Sequence, residues 1–237
     1  MKRAGIFLES LSLEDTFSYA RLADERGFDS IWLPEITWSD AFSLATAAAM
    51  NTKKIRLATG VVGIYGRSPA LMAMSIAGLD ELSGGRAVLG LGTQARPYVE
   101  LWHSAKFEKP AARMQEYVLA VRKILQNPFN VTYYKGDIFD IRGFVLTVKP
   151  KAQRIPIYVA AIGPNLQRVA GEVADGVLGY FYSVKYVREK LIPHLKEGGE
   201  KSGRDLKKDN FDIAVGLPAL VSDSVERYEM IKPLVAV

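Results

Sequence analysis

The chain contains no cysteine and only two histidines among its 237 residues. The first absence excludes a disulfide framework, a thiolate nucleophile and any cysteine-ligated metal. The two histidines, His103 and His194, have no metal-ligand spacing and no carboxylate pattern beside them, so no metal site is expected. No apolar run reaches the length of a membrane span. In the opening MKRAGIFLESLSLEDT, the acidic Glu9, Glu14 and Asp15 interrupt anything resembling a signal-peptide core. The expectation is a soluble cytoplasmic protein with no membrane association.

Long runs of one charge are also missing. The formal net charge is +5, yet the densest basic stretch, Lys185 to Lys208, is interleaved with Glu189, Glu197, Glu200 and Asp205. That is the composition of a solvated helix face and its loop, so no nucleic-acid partner is expected. A Walker loop, a serine elbow and a G-x-G-x-x-G fingerprint are absent too. Gly90-Leu91-Gly92 supplies only G-x-G, which does not define a nicotinamide site.

What is present is a chain that is 49% hydrophobic, ample for a large core. Its apolar pattern alternates between short runs that are apolar on both faces and longer segments of helical period, the arrangement of a parallel sheet covered by helices. Strands are predicted at Ala4 to Glu9, Phe28 to Pro34, Ile155 to Ala161, Val177 to Phe181 and Phe211 to Val221. Ser12 with Asp15 three positions on opens a first helix, and Asp40 caps Ala41 to Met50. Ser183 to Glu197 reads as a polar helix, and Asp223 caps a last one. Ala95 to Pro110 reads as a long loop or irregular helix before the helix Ala111 to Leu125. Tyr133 to Thr147 reads as a small antiparallel excursion. The whole is one domain, 1–237, with an insertion around 95–150.

The stretch Ile55 to Gln94 is one βαβ unit whose two strands both end in glycines, at Gly60 and Gly63 and at Gly90 and Gly92. Glycine there permits tight turns, and it also lets a flat ligand lie against bare backbone. Both readings stand on the residues alone. Spacing this regular suits an open doubly wound sheet or a closed barrel.

The words LDELSGGRAVLGLG at Leu79 to Gly92 resemble the luciferase-like flavin and deazaflavin oxidoreductases. So do Gly27-Phe28-Asp29-Ser30-Ile31-Trp32, Ile55 to Val61, Arg67-Ser68-Pro69-Ala70, Pro156 to Ala161 with Gly163-Pro164, and Ala170 to Gly176. Their shared order covers nearly the whole chain, which looks most like the methylenetetrahydromethanopterin reductase branch. That resemblance implies a (β/α)8 TIM barrel with an insertion after the fourth strand, a homodimer or homotetramer, and coenzyme F-420 as cofactor, with FMN as the alternative. It also implies a non-prolyl cis peptide at Gly60-Val61 behind the central ring of the coenzyme. The implied activity is hydride transfer between coenzyme F-420 and a small organic substrate, methylenetetrahydromethanopterin among the candidates. An FMN-dependent monooxygenase and a non-catalytic barrel are the competing readings.

Two departures from the family pattern stand out. Pro34-Glu35 replaces the usual Asp-His after the second strand, and the final strand of a closed barrel is not seen. At the barrel mouth, where strand ends converge, the resemblance assigns Thr59, Gly60, Val61, Gly92, Thr93 and Gln94 to the ring of the cofactor. Ala161, Gly163 and Pro164 are assigned to its phosphate, although Gly163-Pro164 reads equally as an ordinary helix start. Glu9 and Glu35 are the candidate proton-handling groups. Trp38, Tyr98, His103 and Tyr180 are the candidate substrate contacts, with packing of the insertion as the other account of the aromatic residues.

Overall fold

The computed structural model describes residues 3–8, 12–37 and 39–219. Its first half runs β1 (Gly5–Phe7), α1 (Leu13–Glu25), β2 (Ser30–Leu33), α2 (Ala41–Asn51), β3 (Arg56–Thr59), β4 (Val62–Gly63), α3 (Pro69–Ser83) and β5 (Ala87–Gly92). A π-helical turn at Tyr98–Trp102 leads to α4 (Pro110–Leu125) and a hairpin, β6 (Val131–Lys135) and β7 (Asp140–Val145). Then follow β8 (Ile157–Ala160), α5 (Pro164–Val173), β9 (Gly176–Tyr180), α6 (Val184–Tyr186), a second π-helical turn at Val187–Leu191, α7 (Ile192–Lys201) and β10 (Asp212–Gly216).

The helix starts are those the side chains dictate. Ser12 accepts from the Asp15 N–H at 3.0 Å and donates its hydroxyl back to the Asp15 carboxylate at 2.7 Å. Asp40 accepts from the N–H groups of Phe42 and Ser43 at 3.1 and 3.0 Å, satisfying donors that the first turn leaves orphaned. The polar segment predicted as one helix from Ser183 to Glu197 is broken by the π turn and continues to Lys201. The helix expected from Asp223 lies outside the described residues.

Strands β1-β2-β3-β5-β8-β9-β10 pair in that order, all in parallel, with β4 a two-residue addition beside β5. This is a TIM barrel that is nearly closed. Among the described residues, β1 and β10 do not pair. They face each other across a cavity of about 610 Å3, and Arg3 reaches Asp212 at 2.6 Å across it. The segment between β5 and β8 forms its own two-stranded antiparallel sheet, β6-β7. Its turn is held to α4 by Glu116, whose carboxylate accepts from the N–H groups of Asp137, Ile138 and Phe139 at 3.0 to 3.2 Å.

Two apolar layers result. The larger fills the space between helices and sheet, with Leu57, Ile76, Leu89, Val121 and Ile157 in its centre. The smaller fills the barrel interior around Trp32, Ala58, Val88 and Tyr158. There the indole and phenol rings meet edge to face at 5.3 Å. Rings of that size fit only because the facing strands carry almost nothing. A Cβ on Gly90 would lie 2.1 Å from the Thr59 carbonyl oxygen and 3.4 Å from the indole of Trp32.

Candidate active site

The floor of the mouth is made where β3 stops pairing with β5. Their register holds at Leu57 with Ala87 and Ala58 with Val88. One residue on, the side chain of Thr59 takes over: its hydroxyl donates to the Gly90 carbonyl and accepts from the Gly90 N–H, both at 2.8 Å. Thr59 is fully buried, so the strand separates here without orphaned polar groups. The next peptide, Gly60-Val61, is cis, where the sequence resemblance puts it. Val61 then stands over Gly92, where an added Cβ would lie 2.5 Å from Val61 Cγ2.

Over this floor opens a cavity of about 310 Å3. Its walls are mostly apolar: Phe7, Pro34, Ile36, Val61, Ala95, Ala160, Ile162 and Leu178, with the rings of Tyr98 and Tyr180 and the backbone of Gly216. The polar side chains that reach it besides the tyrosines are Glu35 and Gln94. Gln94 holds a left-handed backbone, φ 57°, which a non-glycine residue adopts at a cost. Its amide oxygen is buried and has no hydrogen-bond partner among the described residues. An orphaned acceptor of this kind in native structure calls for a ligand or water.

Glu35 is tightly engaged. One carboxylate oxygen pairs with Arg67, and the other accepts from the Ala41 N–H at 3.0 Å. Arg67 also lies 3.7 Å from Asp40 and 5.3 Å over the ring of Phe42. Burial opposes ionisation of Asp40. Its bonds to Ser43 and the nearby Arg67 charge outweigh that and hold its carboxyl below the usual range. Glu35 thus braces the end of β2 to the start of α2 and to the turn before α3.

The cavity unites six of the expected site residues: Glu35, Gly60, Val61, Gln94, Tyr98 and Tyr180. Thr59, Gly92 and Ala161 lie buried behind its walls, with Thr93, Gly163 and Pro164 beside it. His103 is elsewhere: its ring packs on Gly66, 3.3 Å from where a Cβ would be, and its N–H donates to the Tyr98 carbonyl. Tyr98 stacks on Trp102 at 4.1 Å with the rings 9° from parallel. Glu9 and Trp38 lie outside the described residues. Ile162, within the strand-end run Ala161 to Pro164 expected at the mouth, lines the cavity as well. Sequence reasoning missed Phe7, Ile36 and Leu178, and also Arg67. For Phe7 and Leu178 the signal was strand alternation; for Arg67 no local pattern existed.

Among the described residues no cluster of His, Asp and Glu has the makings of a metal site, and no helix is long and apolar enough to cross a membrane. The barrel and the cavity at its mouth define a class of protein, the parallel barrels with a concave site at the carboxyl ends of their strands. The family of luciferase-like monooxygenases matches residues 3–231, and the chain belongs to it.

Similar proteins include reductases. The 5,10-methylenetetrahydromethanopterin reductase of Methanolobus tindarius is 38% identical over 197 residues, covering 83% of this chain and 58% of its own. The enzyme of the same name from Archaeoglobus fulgidus is 36% identical, covering 73% of this chain and 51% of its own. Among solved structures, the coenzyme F-420 dependent tetrahydromethanopterin reductase of Methanopyrus kandleri superposes with a TM-score of 0.79 at 26% identity. That match covers 90% of this chain and 65% of the other. The chain therefore spans less than two thirds of the length of these relatives.

Proposed function

We propose that the protein is an oxidoreductase that passes hydride between coenzyme F-420 and a small organic substrate. The observation that carries this reading is the apolar cavity over Gly60 and Val61, with Gln94 at its edge, in a chain of this family. The residues fit a flat heteroaromatic ring: apolar walls exclude water, the floor carries only the short aliphatic side chain of Val61 beside Gly60, and Gln94 brings an amide without a partner for its oxygen to the rim. When bound, the deazaflavin supplies the carbon that gives or takes hydride.

The chain's own groups have the remaining tasks. Val61, propped by Gly92, supports the ring from below, with Thr93 and Gln94 flanking it. The turn into α5 at Ala161, Gly163 and Pro164 receives the phosphate through the N–H groups of Ile162 and Gly163, which have no acceptor among the described residues. Tyr98 and Tyr180 border the substrate side. Glu9 is our choice for handling a substrate proton, because the oxygens of Glu35 are already engaged by Arg67 and Ala41. His103 has no part in this reading. The names of the relatives make methylenetetrahydromethanopterin the first substrate to test, and the family resemblance makes a homodimer or homotetramer the assembly to look for by sedimentation.

Titration of the purified protein with oxidised coenzyme F-420, followed by fluorescence, and with FMN, followed by absorbance, tests the reading. Saturable binding of the deazaflavin is expected. The family's monooxygenase description supports the second reading, in which FMN is bound instead and oxygen is consumed with reduced flavin. Failure of both titrations would leave only a non-catalytic barrel.

A further inference from the structure

Behind the turn from β8 to α5 lies a buried polar cluster with no part in the site as described so far. Its centre is Gln167, in the first turns of α5 and fully buried. The Gln167 amide nitrogen lies 2.9 Å from the Tyr186 hydroxyl and 3.4 Å from that of Tyr182, and it also faces two carbonyl oxygens, of Ala161 at 3.2 Å and of Ile162 at 3.1 Å. These two acceptors fix which end of the amide faces them, since the amide oxygen would meet them with repulsion. The oxygen, on the other side, accepts from His194 Nδ1 of α7 at 2.7 Å. Each carbonyl has a second donor: the Tyr182 hydroxyl bonds Ala161, and the Tyr186 hydroxyl lies 3.4 Å from the Ile162 oxygen. Burial raises the pKa of the Tyr182 phenol, so it keeps its donor proton at neutral pH.

Four donor contacts thus turn two successive carbonyls inward. A trans peptide is planar, with its N–H opposite its C=O, so the N–H groups of Ile162 and Gly163 must face away from Gln167. Neither has an acceptor among the described residues, and Gly163 starts α5 with no side-chain cap. Ile162, which lies between the two fixed peptides, and Ala160, just before them, line the mouth cavity.

We infer that Gln167, with Tyr182, Tyr186 and His194 around it, is a positioning residue: it sets the peptides of residues 161–163 so that their N–H groups face the phosphate of the cofactor. The inference rests on the cofactor reading above and gives it a structural determinant outside the cavity. Gln167 touches neither cofactor nor substrate. Its effect is confined to the turn, so it discriminates between ligands that carry a phosphate and ligands that do not.

The experiment compares coenzyme F-420 with 8-hydroxy-5-deazariboflavin, the same chromophore without the phosphate and its tail. Both are titrated into the wild-type protein and into Gln167→Glu and Tyr186→Phe. The Gln167→Glu carboxylate keeps the shape but cannot donate two hydrogen bonds to the carbonyls. Binding of coenzyme F-420 is expected to weaken about tenfold or more in Gln167→Glu and about threefold in Tyr186→Phe, which removes one long contact to the Ile162 carbonyl and leaves the Gln167 amide facing both carbonyls. Binding of the tail-free chromophore stays as in the wild type. In turnover, KM for the coenzyme rises while kcat at saturation is kept. Should Gln167→Glu not fold, Tyr186→Phe, which loses one hydroxyl from a half-buried ring, decides the matter. Equal weakening of both ligands, or of neither, overturns the inference and leaves the cofactor reading intact. A wild-type protein that binds neither deazaflavin overturns both.

Discussion

The two sides of the barrel mouth are built on opposite plans. On the β3–β5 side all six residues of β5 are buried, Thr59 saturates the polar groups of Gly90 with its own hydroxyl, and Arg86 closes the rear. The Arg86 guanidinium donates to the carbonyls of Ala49, Thr52, Ile55 and Ser83 at 2.7 to 3.2 Å, tying α2, α3 and β3 together. On the β9–β10 side every residue of β10 is only half buried, Tyr180 and Leu217 are exposed, and polar side chains reach into the open flank between β10 and β1. One side offers a ligand fixed backbone with no room to yield. The other offers rings and aliphatic groups that can change without disturbing a ladder. A cofactor shared by many enzymes suits the first surface, and substrates that differ between them suit the second.

If the floor is as unyielding as this, one methyl group is enough to destroy it. Gly90→Ala puts a carbon 2.1 Å from the Thr59 carbonyl oxygen, and backbone cannot swing aside as a side chain can. The loss is expected to reach about 3 kcal/mol or more, beyond ordinary overpacking, with loss of near-UV circular dichroism as the readout. Thr59→Val, nearly isosteric, removes only the hydroxyl and leaves the N–H and C=O of Gly90 without partners. It is expected to cost about 2 to 4 kcal/mol in urea unfolding. Across the mouth, Leu217→Ser should fall within about 0.5 kcal/mol of wild type. Comparable losses on the two sides would abolish the distinction.

A subtler change separates floor from fold. A Cβ on Gly92 would meet the end of a side chain, Val61 Cγ2, at 2.5 Å, so Gly92→Ala can be accommodated by pushing Val61 toward the ring position. The variant should fold, with unfolding midpoint close to wild type, and bind coenzyme F-420 about tenfold more weakly. Unchanged affinity would show that Val61 does not support the ring.

Much of this was legible in the chain because it is local. Caps at Ser12 and Asp40, the doubly apolar run Ala87 to Leu91 and the glycines of the βαβ unit each act within a few residues, so the strand-helix alternation could be read off directly. The placement of the floor at Gly60-Val61 came from resemblance, since nothing in the composition of the dipeptide demands a cis bond. The unread parts are contacts between distant elements. Glu35 is bound by Arg67 and Thr59 by Gly90, each about thirty residues on, and no periodicity marks such pairs. Gln167 reads as an ordinary polar residue of an amphipathic helix until α7 and the Tyr182 to Tyr186 segment are packed over it. Phe7 and Leu178 belonged to strands that were recognised, but strand alternation gives only two faces, and which of them looks inward is set by the barrel.

A more modest effect than those on the floor concerns the polar interior of the open side. Tyr158, on β8, is buried against Trp32 and donates its hydroxyl to Asp212 of β10 at 2.6 Å. Burial, then the bond to Asp212 and its negative charge, push the phenol well above its usual value, outweighing the opposing pull of Arg56 and Arg3. In the unfolded chain the phenol ionises near pH 10. Above that pH the folded state therefore holds a proton that the unfolded state has released, and stability falls as pH rises. At pH 8, Tyr158→Phe should be less stable by about 1 kcal/mol, the worth of the lost hydrogen bond. Between pH 9 and pH 11 the gap should close, because phenylalanine has no proton to lose and the wild type declines more steeply. Tyr117, buried and shifted in the same direction, is present in both proteins and cancels in the comparison. Urea unfolding across this range gives the result directly: a gap that stays constant with pH would mean that Tyr158 titrates alike in the folded and unfolded chains, and that the open side is as wet as the unfolded state.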